Sequence, residues 1–188
     1  MRIIAGERRG RRVRSVRDRR LRPTPDRVRE ALFSIMGDRI RGSRFLDLFA
    51  GTGAVGIEAL SRGARNVHFV EREPVFGKLI RDNLKDLSLE DKGELLHYEF
   101  RRALDLLGRR KIVFDIVFAD PPYQSRFGQH VLSRVADSNL LESEGLLIIE
   151  HATSVDLPTG LGDLKRTDQR RYGETVLSFY EFNRSERV

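Results

Sequence analysis

The sequence predicts an α/β fold built on a mostly parallel sheet with helices covering both faces. From residue 45 to residue 150, short apolar runs alternate with stretches of helical periodicity. A glycine-rich turn follows the first of these runs. The last two strand patterns follow one another without a helix between them, so they form an antiparallel hairpin. Strands are expected at 45–50 (FLDLFA), 66–71 (NVHFVE), 95–100 (LLHYEF), 114–119 (FDIVFA), 146–150 (LLIIE), 164–171 and 175–182, seven in all. The helices between them are expected at 54–62, 74–87, 102–108 and 128–138. The segment 151–165 is rich in Pro and Gly and shows no convincing helix.

Ahead of this alternation, RIIAGE and RRVRSV flank Gly10 as two short basic strand patterns, which suits a small N-terminal β-hairpin. From Pro25 the periodicity becomes helical, with Val28, Ala31, Leu32, Ile35 and Met36 on one stripe. Thr24 reads as the N-cap, Pro25 as the first helical residue and Asp26 as a first-turn acid, with the helix ending near Ile40. At 188 residues the chain suits one main domain, so residues 1–22 are read as a basic arm and 23–188 as that domain.

Charge is concentrated in the arm and the first helix. Residues 1–30 hold twelve arginines against four acids, while the whole chain carries a net +7. A cationic arm on a near-neutral body is what neutralising a phosphate backbone requires, because each contacted phosphate releases a counterion. With no cysteine there is no disulfide framework and no thiolate zinc site. The four histidines, His68, His97, His130 and His151, show no ligand spacing, so no metal is expected. No apolar run is long enough to cross a bilayer or to form a signal peptide, which makes a cytoplasmic location the expectation. Nothing points to an obligate partner subunit, and a monomer is expected.

The turn after the first strand, Gly51-Thr52-Gly53-Ala54-Val55-Gly56, fits the G-x-G-x-x-G pattern of Rossmann-like nucleotide sites. Glu71 ends the next strand twenty residues after Gly51, at the spacing of a carboxylate that grips ribose hydroxyls. The pattern alone also suits NAD. Asp47 favours S-adenosylmethionine over it: a carboxylate within the strand, four residues before Gly51, repels a pyrophosphate but is suited to pair with the α-ammonium or sulfonium of that cofactor. Its place inside an apolar strand argues against a capping role. The chain also lacks room for the separate substrate domain of a dehydrogenase.

Asp120-Pro121-Pro122-Tyr123 ends the fourth strand, at the carboxyl end of the sheet where open α/β folds bind ligands. An exocyclic amine on a base is a poor nucleophile because its lone pair is delocalised into the ring. The Asp120 carboxylate and the Pro121 carbonyl, held by two prolines, are suited to accept its hydrogens and draw the nitrogen toward tetrahedral geometry. Tyr123 is suited to stack on the base. On residue chemistry alone, adenine N6 and guanine N2 both remain open as targets.

Five segments resemble the 16S ribosomal RNA (guanine-N2)-methyltransferase family, and together they span nearly the whole chain. They are RIIAGERRGRRV, LRPTPDRVREALFSIM, FLDLFAGTGAVGIEALSRGA, FADPPY and RRYGETVLSFYE. The resemblance implies a class I methyltransferase fold and S-adenosylmethionine as cofactor. It implies that Asp47, Phe49, Ala50, Gly51, Thr52, Gly53, Ala54, Val55, Glu71 and Arg72 bind that cofactor, with Asp120 beside it. Asp120, Pro121, Pro122 and Tyr123 would hold the guanine, and Arg8, Arg9, Arg11, Arg12, Arg22 and Thr24 would meet the RNA of the small ribosomal subunit. Methyltransferases of this fold usually place Asp or Asn after the third strand to touch the adenine. Here Phe100-Arg101-Arg102-Ala103 stands there instead, so a main-chain amide around Arg102 is the expected contact, with Glu99 as the alternative. An N6-adenine methyltransferase, an NAD-dependent oxidoreductase and a catalytically silent RNA-binding module are the competing readings.

Overall fold

A computed structural model describes residues 1–15, 24–122 and 127–182. The chain divides into two compact units, Met1–Phe100 and Arg101–Val188.

The first unit contains α1 (Asp26–Met36), β1 (Arg44–Asp47), α2 (Ala54–Ser61), β2 (Asn66–Val70), α3 (Pro74–Leu87) and β3 (Gly93–Leu96). Its strands pair in parallel in the order β3-β2-β1, with Phe45 opposite Val67 and Phe69 opposite Leu95. Phe45, Leu46, Val67 and Phe69 are all fully buried, as expected of parallel strands covered on both faces. α3 presents Phe76, Leu79, Ile80, Asn83, Leu84 and Leu87 as its buried stripe, at the spacing of one helix face. α2 lies so close to β2 that a Cβ on Gly56 would fall 2.2 Å from the Phe69 ring. The third glycine of the loop pattern is therefore required by packing.

Several boundaries differ from the sequence reading: β1 ends at Asp47 and not at residue 50, because the chain turns into the glycine loop there, and α1 ends at Met36, with a single 3-10 turn carrying the chain on to Ile40. α1 starts at Asp26, with Pro25 extended (φ −56°, ψ 146°) as its N-cap in place of Thr24. The Pro25 carbonyl accepts the Val28 and Arg29 amides as the first bonds of the helix, while its extended ψ keeps Pro25 itself outside it. The third strand runs over 93–96 and not 95–100, because the chain leaves the sheet at His97 and enters the next helix at Phe100.

The N-terminal hairpin forms as a small closed loop. Arg2 and Arg12 bridge antiparallel, Ile3 donates to the Arg11 carbonyl (3.0 Å), and Val13 donates to the Met1 carbonyl (3.0 Å). The end of its second leg, from Val16 on, lies outside the described residues. Glu58, buried within α2, anchors the hairpin. Its carboxylate accepts the Ile4 amide (2.8 Å), the Ala5 amide (2.9 Å) and Arg62 Nε (2.8 Å), with Arg29 Nε 4.0 Å away. Gly6 approaches α2 so closely that a Cβ would sit 1.8 Å from the Ser61 carbonyl oxygen, and its φ of +84° favours glycine as well.

The second unit contains α4 (Phe100–Arg109, which starts at the boundary residue), β4 (Phe114–Ala119), α5 (Phe127–Ala136), β5 (Leu141–Ala152), β6 (Gly160–Leu161), β7 (Leu164–Tyr172) and β8 (Thr175–Phe182). β4 and β5 are parallel. β5-β8, β8-β7 and β7-β6 are antiparallel, so the expected C-terminal hairpin closes this side of the sheet. β5 is much longer than 146–150, because Leu141 to Glu144 extend it beyond a register shift opposite Phe114 and Ile116. β6 is an eighth strand among the described residues, two residues long, in the Pro- and Gly-rich segment that showed no element in sequence.

Replacing Glu58 with Ala should cost about 3–5 kcal/mol, because it leaves two arm amides and the Arg62 guanidinium without their acceptor and removes the carboxylate nearest the buried Arg29 Nε. That corresponds to a fall in melting temperature on the order of 10 °C in calorimetry. A loss below about 1 kcal/mol would show that the arm is held elsewhere.

Candidate active site

The glycine loop is shaped by two strand-end carboxylates. After Asp47 the chain turns through Leu48 and Phe49 to Ala50, whose amide rejoins the Val70 carbonyl (2.9 Å). Gly51 and Gly53 then adopt φ of +53° and +79°, the left-handed region that side chains resist. The Gly53 amide donates to the Ala50 carbonyl (2.7 Å), and its own carbonyl accepts the Ile57 amide to start α2 (2.8 Å).

Glu71 follows β2 directly. One of its carboxylate oxygens accepts the Gly51 amide and the other the Glu73 amide, both at 2.8 Å. Asp47 Oδ2 accepts the Gly56 amide (3.0 Å) in the first turn of α2. The sequence reading discounted a capping role for Asp47 because it lies in a strand. The structure corrects this: the tight glycine turn brings the end of β1 against the start of α2, so a strand residue caps a helix nine positions later.

Asp47 is 1% exposed and Glu71 9%. Among the described residues neither carboxylate has a cationic side-chain partner. Burial pushes the Asp47 carboxyl from 3.8 up to about 7, opposed by the Gly56 amide and reinforced by the nearby Glu71 charge. Burial also raises Glu71, opposed by amide hydrogen bonds from Glu73, Gly51 and Arg72. A pair of buried acids held only by backbone amides disfavours an anionic ligand and suits a cationic one.

Around this pair, Ala50, Gly51, Thr52, Gly53 and Val55 are buried, and Ala54 is half-buried. The half-buried Phe49 packs its ring 5.3 Å from that of Phe100. Arg72 is exposed, its Nε 3.4 Å from Glu73, and its carbonyl meets His97 Nε2 at 2.9 Å. All of these belong to the first unit.

In the second unit, β4 ends at Ala119 opposite Ile149 of β5, and Asp120 follows half-buried. Pro121 is buried and Pro122 exposed; Tyr123 lies outside the described residues. Arg102 stands in the first turn of α4, and Glu99 immediately precedes that helix. Because β3 ends at Leu96, the position directly after the strand is occupied by His97 and not by Phe100.

The basic residues divide by environment. Arg8 Nε donates to the Leu87 carbonyl (3.1 Å) and Arg11 to the Asp86 carbonyl (2.6 Å), both at the C-terminus of α3, where cations are favoured. Arg9 and Arg12 are exposed and have no ion-pair partner among the described residues. Thr24 is 8% exposed, and Arg22 and Pro23 lie outside the described residues. Sequence reasoning passed over Glu58, Ser61 and Asn83, which hold the arm in place. The available signal was a polar side chain within an otherwise apolar helix stripe: Glu58 in AVGIEALS, and Asn83 between Ile80 and Leu87.

A family model described as conserved hypothetical protein 95 matches residues 1–181. The chain is 37% identical over 181 residues to "Putative rRNA methyltransferase YlbH" of Bacillus subtilis (strain 168), covering 96% of this chain and 98% of that protein. It is 36% identical over 161 residues to "Ribosomal RNA small subunit methyltransferase D" of Haemophilus influenzae, covering 84% and 81%. Among solved structures, "Putative methyltransferase yhhF from Escherichia coli" aligns with a TM-score of 0.87 at 30% identity, over 98% of this chain and 99% of that one. The fold is that of the class I methyltransferases.

A carboxyl raised in the folded state contributes stability below its ordinary range and loses that contribution as pH rises through its folded value. The ligand-free protein should therefore lose stability between about pH 4 and 7, by up to about 1.4 kcal/mol per unit of raised pKa. In Asp47→Asn this fall should be shallower, since the amide oxygen still accepts from Gly56 and carries no charge. Melting curves at pH 5, 6, 7 and 8 check this, and parallel curves for parent and variant would contradict the Asp47 assignment.

Proposed function

The chain belongs to the conserved hypothetical protein 95 family, and on that premise we propose that it transfers a methyl group from S-adenosylmethionine to the N2 amine of a guanine in 16S ribosomal RNA. The observation that carries the reading is the buried pair Asp47 and Glu71, which frames the glycine loop without a cationic side-chain partner among the described residues. S-adenosylmethionine bears an α-ammonium and a sulfonium, so it matches this pair, whereas a pyrophosphate cofactor meets two buried negative charges. The relatives named as ribosomal RNA small-subunit methyltransferases support an RNA substrate.

In this reading Asp47 and Glu71, with Phe49 to Val55 and Arg72, hold the cofactor, and an amide near Arg102 meets its adenine. Bound there, the cofactor supplies an electrophilic methyl group. The chain's own part is to position and activate the amine. Asp120 and the Pro121 carbonyl accept the amine hydrogens, so the nitrogen lone pair is freed from the ring. Pro121 and Pro122 hold those acceptors in place before the reaction, so little reorganisation remains for the transition state. Tyr123 stacks on the base and restricts its rotation. Residues 1–22 form the RNA-contacting arm and 23–188 the methyltransferase domain. No metal takes part, and the protein works in the cytoplasm as a monomer. Among the described residues no helix is long and apolar enough to cross a membrane.

The deciding experiment is methyl transfer to ribosomal RNA from cells lacking this activity, followed by nucleoside digestion. N2-methylguanosine is expected, and Asp120→Ala should lower the rate by about 10²–10³ while S-adenosylhomocysteine still binds. N6-methyladenosine would establish the adenine alternative instead. NAD binding without S-adenosylhomocysteine binding would make the protein an oxidoreductase. Unchanged transfer by Asp120→Ala would refute the amine-orienting mechanism.

The arginine geometry yields a second test. Arg9→Glu with Arg12→Glu should weaken RNA binding and flatten its logarithmic salt dependence by about 2, one for each lost phosphate contact. Arg8→Ala and Arg11→Ala should act mainly on stability, because their side chains are committed to α3. Filter binding at several salt concentrations separates the two pairs, and an equal effect of both on the salt slope would refute the division.

A further inference from the structure

Asn83 lies on the buried stripe of α3 and is 1% exposed. All three of its hydrogen bonds leave α3. Its Oδ1 accepts the Arg14 amide at 2.8 Å, and its Nδ2 donates to the Arg14 carbonyl at 3.1 Å and to the Thr52 carbonyl at 3.2 Å. The partners fix the orientation of the amide, since the reverse placement would set its oxygen against two carbonyls. One side chain therefore holds both backbone groups of an arm residue and the backbone of the second residue in the Gly51-Thr52-Gly53 turn.

The surroundings leave this link little freedom. Arg14 is clamped to the same helix by its guanidinium, which meets the Asp86 carboxylate at 2.6 and 2.9 Å. On the other side, the Thr52 carbonyl lies between two glycines in left-handed conformations, so its direction depends on how the turn is set. The Glu71 carboxylate fixes that turn at Gly51. Anything that orders the turn orders the acceptor of Asn83 Nδ2, and with it the cradle in which Arg14 sits.

We infer that Asn83 is a positioning residue that couples the basic arm to the glycine loop, so that filling the loop with cofactor tightens the arm, and seating the arm tightens the loop. The inference rests on the reading of the loop as a cofactor site. Coupling of this kind is reciprocal: if ligand in the loop stabilises the docked arm by a given factor, RNA that holds the arm docked raises cofactor affinity by the same factor. The product, S-adenosylhomocysteine, and RNA would then each favour retention of the other.

The test is hydrogen exchange of the Arg14 amide in the full chain, with and without saturating S-adenosylhomocysteine, in the parent and in Asn83→Asp. The variant keeps an oxygen for the Arg14 amide and loses both donations from Nδ2. In the parent, ligand should slow Arg14 exchange by at least about threefold. At a ligand concentration of 100 Kd the ceiling is about 100-fold, the largest stabilisation such binding can transmit. In Asn83→Asp the slowing should vanish, while the Ile3 and Val13 amides, which report closure of the hairpin itself, stay protected.

A merely structural Asn83 gives a different result: the variant melts lower, but Arg14 still responds to ligand, and the coupling is refuted. Ligand binding with no change at Arg14 in the parent also refutes it, and needs no variant to fold. If calorimetry detects no S-adenosylhomocysteine binding by the parent, the cofactor reading fails and the coupling fails with it, an outcome distinct from binding without response.

Discussion

The glycine loop depends on carboxylates that take backbone amides at the ends of β1 and β2. Asp47 holds the Gly56 amide and Glu71 the Gly51 amide, so the first unit secures its tightest turn from both flanks with charges that have left water. Two nearby buried acids would normally be costly, and the rise of Asp47 to about 7 expresses that cost. The backbone amides offset part of it and a cationic ligand is suited to offset the rest. The arrangement that shapes the loop thus also sets the sign of the charge around it.

A second buried acid organises the N-terminus. Glu58 lies in α2, the helix that the loop initiates, and receives Ile4, Ala5 and Arg62, with Arg29 close by. Ser61 extends the anchor by accepting the Arg8 amide and donating to the Ala5 carbonyl. The arm is therefore docked on the two helices that flank the loop, with its first residues on α2 and its later ones on α3. Its arginines divide in two: Arg8, Arg11 and Arg14 meet the carbonyls and the acid at the end of α3, whereas Arg9 and Arg12 are exposed, without an ion-pair partner among the described residues.

Much of this was legible in the sequence for a local reason. β4, α3 and β8 have the predicted limits because their periodicity is bounded by sharp punctuation, such as Pro74 at the start of α3 and Asp120-Pro121 after β4. The third strand was misplaced because LLHYEF has an apolar alternation that continues past the point where the chain leaves the sheet. Leu141 to Glu144 of β5 were missed because their pairing depends on a register shift that carries no sequence mark. Thr24 was read as a cap because the residue type suits the role, whereas the backbone of Pro25 took it.

By itself the sequence determined the alternation of strands and helices, the glycine turn after the first strand, the acids at positions 47 and 71, and the concentration of arginine in the arm. These follow from short-range rules: periodicity, steric freedom at glycine, and charge counting. Only the tertiary structure decided that Asp47 caps α2, that Glu58 and Asn83 rather than apolar contacts alone seat the arm, and which arginines remain outward. Those outcomes depend on partners 9 to 79 residues apart. A buried polar side chain takes the backbone group that the fold brings to it, and nothing in its neighbouring sequence specifies which group that will be.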